Sequence, residues 1–202
     1  MFHRRVFLAA ASASLLAACG SILPTPMAPQ LYVLRPPAVP PQGTMVPWRL
    51  AVAAPDAPAS LDTARIALTR SATTMDYFAN AAWNDRIPLM FQRLLVQRFD
   101  ASGRIASVAR DTAGLESDYL LETDIHDFQA RYDNAEGAPE AVVAIQAKLV
   151  RMPQREIVAS LNVTQTARAS ANSLDAVVVA FNQAVGATVD RIATWALATP
   201  VT

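Results

Sequence analysis

Apolar positions along this chain recur with two periods, and the switch between them marks out its elements. The runs Leu31-Tyr32-Val33-Leu34 and residues 48–53 read as two strands, the second ended by Pro55 and Pro58. Ile66 and Leu68 alternate with Ala67 and Thr69, and Met75, Tyr77 and Ala79 with Asp76, Phe78 and Asn80. That pattern predicts two short strands or a hairpin. From Ile87 the period becomes helical: Met90, Phe91, Leu94, Leu95 and Phe99 follow at three- and four-residue spacing, with Gln92, Arg93 and Gln97 on the other side. Asn84 or Asp85 offers the cap, Pro88 suits the first turn, and Gly103 helps to end the helix.

Residues 105–108 form a further strand candidate, followed by residues 119–128, in which Tyr119, Leu121, Thr123 and Ile125 share one face and Glu122, Asp124 and His126 the other. Residues 141–150 and 156–166 both alternate. In the first, Val143, Ile145, Ala147 and Leu149 share a face; in the second, Ile157, Ala159, Leu161 and Val163 do. The link Arg151-Met152-Pro153-Gln154 is short enough for an antiparallel hairpin. Ser173 caps a last helix with Asp175 in its first turn, and Leu174, Val177, Val178, Phe181, Val185, Val189 and Ile192 make its stripe. The sum is an α+β fold: an antiparallel or mixed β-sheet with two main helices packed on one face, in a single domain.

Ahead of this domain stands a different pattern. The basic pair Arg4-Arg5 precedes an apolar run that closes on Leu16-Ala17-Ala18-Cys19. The run fits the ~7–15 apolar residues of an export signal and falls short of the ~20 needed to span a bilayer. Residues 1–18 therefore read as a lipoprotein signal peptide, with Cys19 as the lipid attachment site. The competing reading, a buried thiol in an ordinary signal, leaves the small residues and the cysteine unconnected. No second cysteine is present to pair with Cys19. Residues 19–30, with Pro24, Pro26 and Pro29, read as a tether of at most roughly 35 Å if polyproline-like. Residues 31–199 remain for the domain. By resemblance to bacterial lipoproteins in general, Gly20 and Ser21 in place of Asp imply the outer membrane, facing the periplasm.

Charge and composition mostly exclude. Basic and acidic residues balance at 17 each, so the chain without Arg4 and Arg5 is slightly acidic and offers no field for nucleic acid. Beyond the signal there is one histidine, His126, and one cysteine, too few for a His/Cys metal site. No phosphate-binding glycine loop and no G-x-S-x-G elbow occurs, so no cofactor is expected. Asp124, His126 and Asp127 form the one cluster to weigh: Asp124 and His126 share a strand face and would orient an imidazole for base catalysis in an envelope hydrolase. The exposed face of a half-buried strand accounts for the same residues and is preferred, since no nucleophile is paired with them. Trp48, Tyr77, Phe78, Trp83 and Trp195 are the aromatic residues from which an interface would recruit, although packing claims many such residues.

A lipobox, a tether, the Tyr32-Val33-Leu34 strand, Leu61-Asp62-Thr63-Ala64-Arg65-Ile66, and then Tyr77 and Trp83 ahead of an amphipathic helix resemble the ABC-type transport auxiliary lipoprotein family, the PqiC-like proteins. The strand Tyr119-Leu120-Leu121, its continuation from Asp124 to Phe128 and the later hairpin also match. The departure is the proline loop Pro36, Pro37, Pro40 and Pro41, which leaves the pairing of the first strand open.

The resemblance implies a non-enzymatic auxiliary component of an MCE-type ABC transporter for lipids or other hydrophobic molecules. Its partners would be a periplasmic MCE-domain protein, the ABC permease and ATPase, and the membrane through the lipid anchor. Phospholipid and a second copy of the chain are further partners. Arg65, Tyr77 and Trp83 are the family-motif or partner-contact candidates; if the domain itself handles lipid, an apolar groove beside the helix at residues 85–99 is the candidate, although plain packing is the preferred reading of that face. The alternatives are a free-standing structural or lipid-binding envelope lipoprotein and the hydrolase above.

Overall fold

One long strand organises the molecule, and every other strand joins the sheet through it, either directly or through one or two neighbours. In the computed structural model, which describes residues 28–36, 43–133 and 137–199, that strand is β6 (Tyr119–Arg131). Along one side it pairs antiparallel with β7 (Glu140–Arg151), which pairs in turn with β8 (Glu156–Arg168). Its other side is shared. β2 (Val46–Val52) runs parallel to the start of β6, and β3 (Arg65–Ser71) runs parallel to its end.

The link between β2 and β3 fills the gap through backbone bonds. The Ala53 N–H donates to the Leu121 carbonyl (3.0 Å), the Asp56 N–H to the Thr123 carbonyl (2.9 Å), and the Ile125 N–H to the Asp56 carbonyl (2.8 Å). The polar backbone of buried β6 is thus satisfied along both edges. Outside β2 lies β5 (Ile105–Arg110), parallel; outside β3 lies β4 (Thr74–Trp83), antiparallel; and β1 (Gln30–Tyr32) runs parallel to β4 at the edge. This is a mixed eight-stranded sheet. The first strand does pair, with Leu31 opposite Ala82, but for only three residues before Pro36. Residues 37–42 of the proline loop lie outside the described residues, as do residues 1–27, with the expected export signal, Cys19 and most of the expected tether.

The two helices, α1 (Ile87–Ser102) and α2 (Leu174–Ala198), share one apolar core with the sheet. At its centre Trp83 meets Phe181 edge-on at 5.2 Å and Phe128 at 6.1 Å, while Phe128 stacks on Phe181 at 5.2 Å. The expected stripes of both helices are buried there, except that Leu174 is only partly covered. Arg98 of α1 pairs with Asp190 of α2 across the helix–helix seam. Ser173 caps α2 as expected, its hydroxyl accepting from the Ala176 N–H (3.4 Å). Among the described residues no helix is long and apolar enough to cross a membrane.

Three local expectations are corrected. The N-cap of α1 is Arg86, with no side-chain cap; Asp85 instead accepts from the Arg86 N–H (2.8 Å) and from the Arg93 guanidinium (2.8 Å), and Pro88 keeps its place in the first turn. Gln92 is not on an outer face. It is 3% exposed and faces the end of β2, where its Nε2 donates to the Val52 carbonyl at 2.9 Å. Ile157 does not share the inner face of β8. The register shifts between Leu149 and Val150, which sets Ile157 opposite Val150 and leaves it 55% exposed, while Ala159, Leu161 and Val163 keep the expected phase against Leu149, Ala147 and Ile145.

A similar shift between Ile125 and Asp127 explains the length of β6. The inward set is Tyr119, Leu121, Thr123 and Ile125 before the bulge, and Phe128 and Ala130 after it. One inserted residue exchanges the faces, so the strand continues although the alternation breaks.

Candidate functional site

Arg65 opens β3 and Tyr77 lies within the neighbouring β4, so the hairpin brings together two residues twelve apart in sequence. The Arg65 guanidinium carbon sits 3.6 Å from the Tyr77 ring centroid. Such a cation–π contact contributes about 0.5–1 kcal/mol at an exposed site. The Tyr77 hydroxyl donates to the Ser60 carbonyl at 3.0 Å, and the Arg65 N–H donates to Thr63 Oγ1 at 3.2 Å. Next to them the Arg86 Nε donates to Asp62 at 2.9 Å. The segment at residues 60–66 is therefore fastened to β4 and to the start of α1 by side chains that stay at the surface. Trp83, the third candidate, is 1% exposed and packs in the aromatic core. Arg65 and Tyr77 form a surface feature, and Trp83 supports the sheet beneath it.

Asp124, His126 and Asp127 are not assembled into a dyad or triad. The Lys148 Nζ donates to the Asp124 carboxylate (3.0 Å) across the β6–β7 pair, His126 is exposed at the bulge, and Asp127 accepts from Gln129 Nε2 (3.1 Å). The Asp124 carboxylate is engaged by Lys148, and His126 stands at the register shift of β6. Among the described residues no group of three or more His, Cys, Asp and Glu side chains is placed to hold a metal ion.

Beside α1, an open cleft of about 350 Å³ lies between residues 33–36 and one side of the helix. It is not simply apolar. Leu34, Met90 and Leu94 are nearly buried and form its floor, whereas Arg35, Arg93 and Gln97 stand at its rim. The Arg35 backbone N–H donates to the Asn182 side chain of α2 at 2.6 Å, which holds the wall after β1 in place. Tyr32 adds a second tie from its hydroxyl to Asp175 (3.1 Å).

Sequence reasoning missed the clamp on the β5–β6 link. Arg49 of β2 binds Asp118 in bidentate fashion, with Nε at 3.1 Å and Nη2 at 2.9 Å, and reaches Glu116 at 3.1 Å. Hydrogen bonds from the Arg49 guanidinium, and then from its backbone N–H, hold the Asp118 carboxyl below the usual carboxylate range. Neither residue sits in a recognisable motif, and their separation of 69 positions leaves no local signal.

The model of the family described as ABC-type transport auxiliary lipoprotein component matches residues 32–193, from the end of β1 to well within α2. Among solved structures, protein XCC0632 from Xanthomonas campestris is 30% identical, with a TM-score of 0.79 over 84% of this chain and 95% of that one. A structure described only as an uncharacterized protein shares the fold at 16% identity, with a TM-score of 0.67 over 84% and 99% of the two chains. No curated protein matches the chain. The strands and helices that carry Arg65, Tyr77 and the α1 cleft all fall within the matched span, and the chain belongs to the ABC-type transport auxiliary lipoprotein family, an envelope family associated with ABC transporters and not a known family of enzymes.

Proposed function

We propose that this protein is the lipid-anchored auxiliary subunit of an MCE-type ABC transporter that moves lipids or other hydrophobic molecules across the envelope. The observation that carries this reading is the family match over nearly the whole folded domain. Acylation of Cys19 holds the domain at the periplasmic face of the outer membrane, and a periplasmic MCE-domain protein docks on the domain. The energy comes from ATP hydrolysis in the transporter core. The exposed side of the β3–β4 hairpin, marked by Arg65 and Tyr77, supports this role as the docking face: an arginine laid on a tyrosine ring is a preorganised patch of the kind that interfaces favour.

The experiment is affinity capture of the tagged full-length protein from its native membranes after crosslinking, read by mass spectrometry. Recovery of an MCE-domain protein with its permease and ATPase is the expected result. Capture of a folded, lipidated protein without any of them would favour a free-standing lipoprotein instead.

A further inference from the structure

The geometry points to the cleft beside α1 as a binding site for the headgroup of an anionic phospholipid in the membrane that anchors the chain. This inference rests on the lipid-anchored reading above. The chemistry of the cleft is that of an amphiphile's polar end: the floor of Leu34, Met90 and Leu94 is apolar, and two arginines, Arg35 and Arg93, are among the residues that line it. Arg93 is paired with Asp85 at 2.8 Å, while Arg35 has no carboxylate partner among the described residues. Among the described residues no acidic side chain lines the cleft. One positive charge is therefore left over, which matches a phosphate diester. A zwitterionic headgroup would bring its own ammonium with no carboxylate on the lining to receive it. A guanidinium fork suits phosphate oxygens in geometry as well as charge.

Position argues for a bilayer as the source of this lipid. Eight residues lie between Cys19 and Ala28, where the described chain begins. Even fully extended they span no more than about 30 Å, so the edge at β1 stays close to the membrane. At that edge Leu31 is 62% and Val33 44% exposed, and Leu89 on α1 is 37% exposed. Exposed apolar side chains on neighbouring elements, with arginines nearby, are what an interfacial contact uses. With the headgroup seated, the domain is held in one orientation on its membrane, and the β3–β4 face is presented in a fixed direction.

Hydrogen exchange on the full-length lipidated protein reads this out. The protein is reconstituted in vesicles of phosphatidylcholine alone or with phosphatidylglycerol, with inorganic phosphate added to the first as a third arm. Exchange in residues 33–36 and 90–97 should slow by about tenfold with phosphatidylglycerol and not with phosphate. Arg35→Glu should abolish the slowing, and Arg35→Lys should restore most of it, with unchanged melting temperature in both because the side chain is exposed. Equal exchange in both vesicles, slowing that survives Arg35→Glu, or slowing by inorganic phosphate alone would each overturn the proposal. Capture of the transporter subunits is a separate readout, so failure here does not count against the auxiliary role.

Discussion

Arg65 and Tyr77 show how much of this protein's surface chemistry is decided residue by residue. Their contact, at 3.6 Å, orders a guanidinium that would otherwise sample many rotamers. Arg65→Ala and Tyr77→Ala should each lower recovery of the transporter partner in the crosslinking capture, with the melting temperature shifted by only a few degrees, as expected for surface changes of about 1 kcal/mol. His126→Ala should be silent in growth, capture and melting, because the imidazole is exposed and shares no hydrogen bond with Asp124, whose carboxylate is taken by Lys148. Gln92 is the opposite case. Gln92→Leu removes the donor to the Val52 carbonyl, and the buried acceptor left behind should cost about 1–3 kcal/mol in urea unfolding. The sequence shows Arg65, Tyr77 and His126 as distinctive residue types, but what each touches depends on strands brought together from elsewhere. Trp83 is the clearest example: nothing local separates an interfacial tryptophan from one in the core.

At the level of elements, periodicity was legible wherever one face is buried and the register is unbroken. Both helices, the β3–β4 hairpin and the β7–β8 hairpin follow from spacing alone. The misplacement of Ile157 has a local cause: it lies at a bulge, where one unpaired residue exchanges the faces of everything beyond it. Gln92 was misplaced because helical spacing marks a face without saying whether a strand end lies against it. The β5–β6 link depends on a long-range pair and so left no periodic trace. Because bonding to Arg49 lowers the Asp118 pKa, the pair contributes its full stability above the ordinary carboxylate range and loses it as pH falls through the folded pKa, below about pH 4. The stability gap between the natural protein and Asp118→Asn should therefore narrow between neutral pH and about pH 3, measured by thermal melting at each pH.

For the whole molecule, β6 divides its second edge between two parallel neighbours, and this topology puts β1, the first described strand, at the edge of the β3–β4 hairpin. Composition and spacing reached the α+β class and two helices, but not this order, because parallel pairings of distant segments leave no local signature. The lipid anchor and the docking face are the two functional ends of the account. Cys19→Ala should shift the protein from the membrane to the soluble envelope fraction and remove its function, as read by fractionation and complementation. The most direct measurement places a photoreactive residue at Met75, which lies two positions before Tyr77 on β4 and is 37% exposed, and irradiates intact cells. The account predicts an adduct with the MCE-domain subunit that weakens when Arg65 is replaced by alanine. No adduct with any transporter component from that position, in cells where the protein is folded and lipidated, would contradict it.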